Sequence, residues 1–354
     1  MGALQAQSRL FCFLLMIFCI INPSSLWAVK KASIIICAET GKVLHENNAD
    51  AVTPPASLTK MMTLYLTFKA LREKRLTFEQ KLPVSKRASL AAPCKLWLKP
   101  GAVITVRDAI LGMVTKSAND ASIAVAEKLA KSESQFAALM TQQARRLGMS
   151  KTVFKNSHGL PEKQQSITTA RDMAILSQRL YKDFPEYFKF FKEPKFAYKG
   201  HVHQNHNRLL GKIPGLDGIK TGFINASGFN LAASVVRDNR RIIAVVMGGK
   251  SAIARDKEMV KLLEATYSNL RGEKGSSKGK KLTAVHRSQS KPKIIKTKAS
   301  TKYRDVRHLL NDLDQQTSSL KIKKSSKKGL QKKSKSTLKP VSKKKKKVSK
   351  LHTA

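Results

Sequence analysis

Residues 54–66 read PPASLTKMMTLYL, and the role of the lysine in this stretch decides what the chain is. Pro54 and Pro55 set the entry of a helix, because proline fits at or before a first turn, where its missing N–H costs nothing. Leu58, Met61, Met62, Leu64, Tyr65, Leu66 and Phe68 then surround most of the axis, and a helix apolar on nearly all sides is a buried one. Lys60 either snorkels to solvent or sits buried beside Ser57. Taken alone the solvated reading is favoured, since charged residues are rarely buried without a role. A buried lysine is pushed toward its neutral form and becomes a base.

Two further motifs follow in order, Ser117-Ala118-Asn119 and Lys220-Thr221-Gly222. S-x-N and K-T-G each occur once, and outside the lysine-rich C-terminal region S-x-x-K occurs only at Ser57. A strand-borne K-T-G following S-x-x-K at a helix start resembles the motif set of penicillin-binding proteins and class A β-lactamases. Chemistry explains their spacing. A serine hydroxyl is a poor nucleophile until an adjacent base takes its proton. Three apart on a helix, Ser57 and Lys60 share one face, and the helix N-terminus favours negative charge developing at Ser57. Ser117 and Asn119, in a break between helical patterns, are expected to reach the cleft as proton relay and amide anchor. Lys220 adds a cation that helps keep Lys60 neutral and attracts a substrate carboxylate. Gly222 lets a substrate backbone lie against the strand edge.

Around the motifs the patterning alternates between strand and helix. Residues 32–47, ASIIICAETGKVLHEN, read as a β-hairpin around Glu39-Thr40-Gly41. Residues 71–101 look irregular, broken by Pro83, Pro93 and Pro100. Two helical patterns over 107–129 are interrupted at 116–120. Further helices are expected over 133–147, closed by Gly148, over 168–181, capped by Thr168 or Thr169, and over 254–270. GIKTGF, FNLAASVV and RIIAVVMGG read as three strands joined by the turns NASG and RDNR. Strands at both ends with helices between predict one α/β body, residues 29–270, with a mostly antiparallel sheet flanked by helices.

Charge and leader bound the setting. Residues 271–354 hold 28 Lys+Arg against 4 Asp+Glu, so they supply +24 of the chain's net +45. They lack core-forming periodicity and read as a disordered basic tail. Arg9 precedes an apolar run of twelve residues, 10–21, then Pro23-Ser24-Ser25 and Leu26-Trp27-Ala28. That run is short for a bilayer span and suits a secretory signal over residues 1–28, with a buried N-terminal helix as the alternative. Export would leave two cysteines, Cys37 and Cys94. An oxidising compartment permits one disulfide, but a buried free thiol at Cys37 is the favoured reading. Neither has metal-ligand spacing, and no cofactor or metal is expected.

Residues 32–270 resemble the low-molecular-mass penicillin-binding proteins, the serine-type D-alanyl-D-alanine carboxypeptidases. LTKMMT, KSANDASIAVAE, FKNSHGLP, TTARDMA, NHNRLL and GLDGIKTG carry the resemblance beyond the motifs. It implies the penicillin-binding protein and serine β-lactamase fold, with a helical subdomain. It implies acylation of Ser57 by peptidoglycan pentapeptides ending in D-Ala-D-Ala, loss of the terminal D-alanine, hydrolysis, and inhibition by β-lactams. Lys60 would be the base, Ser117 and Asn119 would line the site, and Lys220 and Thr221 would hold the terminal carboxylate. Arg255 would stand near it, by alignment of the strand following K-T-G. The backbone N–H groups of Ser57 and Phe223 would form the oxyanion hole. His158 matches a family histidine whose role stays open between catalytic and structural. The signal segment implies export to the periplasm, and the basic tail a peripheral place on membrane or wall.

Two departures and three rivals remain. Ala118 replaces the aspartate of S-D-N, but its side chain is not one the chemistry needs. Many relatives carry a β-rich C-terminal domain and an amphipathic anchor, where this chain has its lysine-rich tail. A class A β-lactamase needs a glutamate to activate water, and residues 156–172 offer only Glu162. An endopeptidase of D-Ala cross-links uses the same site. A nucleic-acid-binding role, suggested by the tail's charge, conflicts with export, and no nucleic acid is expected. The tail is expected to adhere to anionic membrane or wall polymer, or to be a solvated appendage. Val306, Leu309, Leu310 and Leu313 share one helical face there.

Overall fold

The computed structural model describes residues 31–162, 164–275 and 308–316. The expected signal segment lies outside them, as does most of the lysine-rich region. In chain order, β1 (Ala32–Cys37) and β2 (Val43–Asn47) form the expected hairpin. A 3₁₀ turn, Ala56–Thr59, leads into α1 (Lys60–Arg72). The stretch expected to be irregular contains β3 (Lys81–Pro83), which pairs with β4 (Val103–Thr105). Next come α2 (Val106–Thr115), α3 (Asn119–Leu129), α4 (Glu133–Arg146) and α5 (Ala170–Asp183). A small hairpin, β5 (Lys195–Tyr198) with β6 (His201–Gln204), precedes β7 (Leu216–Ile224), β8 (Gly228–Arg237) and β9 (Arg240–Gly249). The body closes with α6 (Ala252–Gly275), which begins earlier and runs further than 254–270.

The main sheet has the order β2-β1-β9-β8-β7, with every neighbour antiparallel. The two chain halves meet where Ile34 pairs with Val245. Asp238 and Asn239, both at positive φ, make the tight β8–β9 turn, the geometry that matches strand twist. Alternate strand residues serve two cores. Ile34, Ile36, Ile243, Val245 and Met247 join the large core shared with α1 to α5. Between them Ile35, Ile242, Ala244, Ala233 and Val235 are equally buried, and α6 packs on β8 and β9 with Met259, Val260, Leu263 and Tyr267 buried. Both faces of the sheet are therefore covered, and its edges are β2 and β7.

Helix starts follow local chemistry. Thr105, Ser132 and Thr169 each accept the N–H three residues on, the capping bond that is worth about 1 kcal/mol. Ten of the thirteen residues of α1 are buried, Lys60 among them. Phe68, about two turns beyond the lysine, packs against Phe184, Tyr187, Phe190 and Phe191 with ring centroids 5.3–6.3 Å apart. Removing a buried phenylalanine costs roughly 3–5 kcal/mol, so this cluster fixes the helix that carries Lys60. Separately, residues 308–316 form a helix in a second unit beginning at Asp305. Leu309 and Leu313 are buried there, Leu310 is half-buried, and Val306 lies outside the described residues.

Candidate active site

Ser57 stands in the 3₁₀ turn and Lys60 is the first residue of α1. The sequence places both on one α-helix; Ala56 at φ 49° tightens the entry instead. Lys60 Nζ lies 3.1 Å from Ser57 Oγ and donates to the His158 carbonyl at 2.9 Å. Lys60 is fully buried. That burial, and then the charge of Lys220, hold its amine well below the usual lysine range. A neutral amine beside a serine hydroxyl is a proton acceptor. Gly159, at φ 85°, lets the NSHGLP loop close on the turn: a Cβ there would meet the Ala56 carbonyl at 1.9 Å.

The break between α2 and α3 brings up the second motif. Ser117 has φ 60°. Its Oγ and Asn119 Oδ1 are buried and find no partner among the described residues. Asn119 also fixes the wall opposite: its N–H donates to the Cys94 carbonyl at 2.8 Å and its Nδ2 to that of Ala92 at 2.7 Å. Asp120 accepts the N–H groups of Leu96 and Leu98. Residues 92–98, within the stretch expected to be irregular, thus form a pinned wall.

From β7, Lys220 is 1 % exposed, and its amine donates to the Thr221 carbonyl at 3.0 Å. Burial pushes it down to about 7, with Cys94 opposing and Arg255 adding. Thr221, Gly222 and Phe223 line the cleft, and Phe223 stacks on Phe229 with centroids 4.1 Å apart. Arg255 comes from the first turn of α6 and not from a strand. It is buried, pairs with Asp256 and donates to the Asn230 carbonyl. Asp256 also receives Arg208 at 2.9 Å.

These groups converge on one cleft of about 610 Å³, lined by Ser57, Ser117, Asn119, Thr221, Gly222 and Arg255 among others. Cys94, Arg208 and His206 line it too, and sequence reasoning gave them no role. NHNRLL was visible as a resemblance, but nothing local indicates that His206 and Arg208 reach the cleft. Burial first, then Lys220 and other cations, pushes His206 down to about 4, so it is neutral. Cys37 and Cys94 are both free and half-buried.

His158 gives its carbonyl to Lys60 and its ring to another cluster. Nδ1 accepts the Leu160 N–H at 3.1 Å, while Nε2 faces Glu133 at 3.5 Å and Glu162 at 3.6 Å. Burial, then Lys60, pushes the ring down to about 4. The trio has the residue types of a metal site, yet its donors are spent. With Nδ1 accepting, the proton of the neutral ring sits on Nε2, and Arg87 already pairs with both carboxylates. Glu162, the one candidate for activating a β-lactamase water, is engaged with Arg87 and half-exposed.

Comparison with known proteins follows the same lines. The family profile described as D-alanyl-D-alanine carboxypeptidase matches residues 23–251. The chain is 39% identical over 240 residues to D-alanyl-D-alanine carboxypeptidase DacC of Escherichia coli, covering 66% of this chain and 60% of DacC. It is 34% identical over 247 residues to DacF of Bacillus subtilis, covering 67% and 62%. The match thus spans about 60% of these relatives' length. Penicillin-binding protein D2 of Listeria monocytogenes, solved in its ampicillin-bound form, superposes with a TM-score of 0.62 at 33% identity, covering 68% of this chain and 97% of that one.

Proposed function

The chain belongs to the D-alanyl-D-alanine carboxypeptidase family, and from that membership we propose that it is an exported serine-type carboxypeptidase that trims the terminal D-alanine from peptidoglycan pentapeptides. Ser57 Oγ attacks the carbonyl of the penultimate D-alanine while neutral Lys60 takes its proton. The resulting oxyanion sits on the N–H groups of Ser57 and Phe223. Collapse breaks the C–N bond; the proton passes through Lys60 and Ser117 to the leaving amine, and D-alanine departs. Water, deprotonated by Lys60, then cleaves the Ser57 ester to give the shortened peptide and free enzyme. Lys220, Thr221 and Arg255 hold the terminal carboxylate, Asn119 the peptide amide, and Gly222 leaves room for the chain along β7. A β-lactam enters by the same attack and stays bound, because opening its ring releases no leaving group.

The observation that carries this reading is the buried, depressed Lys60 amine 3.1 Å from Ser57 Oγ. Free D-alanine released from a defined pentapeptide, with labelling by a fluorescent penicillin that is absent in Ser57→Ala, tests it. Labelling that survives Ser57→Ala sinks the assignment. A D,D-endopeptidase is the second reading, since the same site cuts cross-links; comparing pentapeptide with cross-linked dimer as substrates separates them.

The proposal extends to the flanks, with residues 1–28 as a cleaved signal, 29–270 as the catalytic body and 271–354 as an electrostatic tether. No helix among the described residues is long and apolar enough to cross a membrane. Each lysine near an anionic lipid surface contributes about 1 kcal/mol. Sedimentation with anionic vesicles should therefore be strong at low salt and lost at high salt; salt-insensitive binding would overturn the electrostatic tether.

A further inference from the structure

The three motifs leave one junction beside Lys60 unexplained. The peptide linking Ser157 and His158 lies where three elements meet. Its His158 carbonyl accepts from Lys60 Nζ at 2.9 Å. The Ser157 carbonyl accepts from Thr63 Oγ1 on α1 and from Ser122 Oγ on α3, each at 2.7 Å. One loop residue therefore ties the helix of Lys60 to the helix that begins at Asn119. That loop is held in turn by Glu133, the first residue of α4. Glu133 Oε1 accepts the Ser157 N–H at 3.0 Å and the Ser157 hydroxyl at 2.6 Å, and faces His158 Nε2 at 3.5 Å. Its Oε2 receives the Arg87 guanidinium.

Glu133 is only 5 % exposed. Burial alone would raise its carboxyl, but His158, the two bonds from Ser157 and the bond from Arg87 outweigh burial and hold it below the usual range. A buried carboxylate is costly unless fully paired, and this one spends its Oε1 pairing on a single loop. Resting on the reading of Lys60 as the base, we propose that Glu133 is a positioning residue for acylation: its carboxylate fixes Ser157 and His158 so that the His158 carbonyl holds the Lys60 amine against Ser57.

The physical reason is tolerance. A lysine side chain is long and flexible, whereas a general base must stand within hydrogen-bond reach of the proton it takes. An N–H donated to the His158 carbonyl fixes the amine and leaves its lone pair free for the Ser57 hydroxyl. The other groups acting on the amine are Lys220, Cys94 and Asp120, with the neutral rings of His158 and His206 close by. Glu133 is one of the anions that favour protonated Lys60. Without its charge the neutral base persists to lower pH.

The test follows acylation by a fluorescent penicillin across pH in the full chain carrying Glu133→Ala or Glu133→Gln. Glu133→Ala frees the loop, and a base misplaced by about 1 Å is worth on the order of a hundredfold in rate, so a loss of at least about tenfold is expected at the plateau. Glu133→Gln keeps an oxygen for Ser157; it should retain most of the plateau rate, with the acid limb moved to lower pH. The limb reports the loss of the Glu133 charge alone; positioning is read at the plateau, where the oxygen kept in Glu133→Gln should restore the rate that Glu133→Ala loses. A folded Glu133→Ala at wild-type rate overturns the proposal, and where the alanine variant fails to fold, a plateau loss of roughly tenfold or more in Glu133→Gln does so. Labelling of Ser57→Ala, run alongside, reports separately on the reading of Ser57 and Lys60.

Discussion

A Cβ placed on Gly222 would lie 3.0 Å from the backbone nitrogen of Ser57. Leu58 N and the Pro55 carbonyl would each lie at 3.2 Å. The β7 edge and the turn bearing the serine are thus in backbone contact, and the absence of a side chain serves the turn as much as an incoming peptide. Gly222→Ala should displace the Ser57 N–H from the position of an oxyanion donor. Loss of one such donor costs roughly 10²–10³ in rate, and penicillin acylation should fall accordingly while the melting temperature changes little. Wild-type acylation in this variant would mean that the turn yields without consequence.

Lys220 sets an alkaline limit. With its amine at about 7, it is charged below that pH and loses its charge above it. If it reads a carboxylate, kcat/KM for a pentapeptide, which reports the free enzyme, should decline as pH rises past about 7. A C-terminally amidated peptide should be poorer throughout and lack the decline. Parallel pH profiles for the two peptides would remove Lys220 from carboxylate recognition.

Lys60 is expected to lower stability. The folded chain holds it neutral, whereas the unfolded chain protonates it below about 10. The unfolded state therefore binds the extra proton, and stability rises with pH across the window between the depressed folded value and about 10. Lys60→Met should raise the melting temperature at neutral pH, flatten its pH dependence and abolish acylation. A lower melting temperature would show that the bonds to Ser57 and His158 outweigh the burial of the amine.

Cys94 lines the cleft with Ser57 and Ser117, while Cys37 contacts Glu39 at the far end of β1. A maleimide on Cys94 would fill the substrate path. Alkylated wild type should lose penicillin labelling, penicillin added first should protect it, and Cys94→Ser should be immune. Equal inactivation of Cys94→Ser would locate the sensitive thiol elsewhere.

What could be read in the sequence was what chain-local spacing encodes. Ser57 and Lys60, the break at Ser117 and Asn119, and the strands around Lys220 all announce themselves within a few residues. The β5–β6 hairpin was missed because KFAY and HVHQ are mostly exposed and carry little apolar alternation. Glu133 looked like an ordinary acid in a helix's first turn, where the dipole favours negative charge. Its bonds to Ser157 cross two dozen residues, and that of Arg208 to Asp256 crosses twice as many. Through-space pairings of this kind have no periodic signature. Arg255 was named by resemblance, and the helix expected over 254–270 contains it.

The pairing of residues 32–37 with 242–247 also sets a schedule for biogenesis. β1 is among the first ordered parts of the body to be made, yet its inner neighbour is the last strand of the sheet. Until β9 exists, β1 has only β2 for company, and the turn carrying Ser57 lacks β7 to pack against. Such distant pairing is slow to form. No early fragment can therefore complete the nucleophile's surroundings, and the site is assembled only when nearly the whole body has been synthesised. A chain that must cross a membrane before folding would gain from this delay, since it stays threadable and inert until its far end arrives.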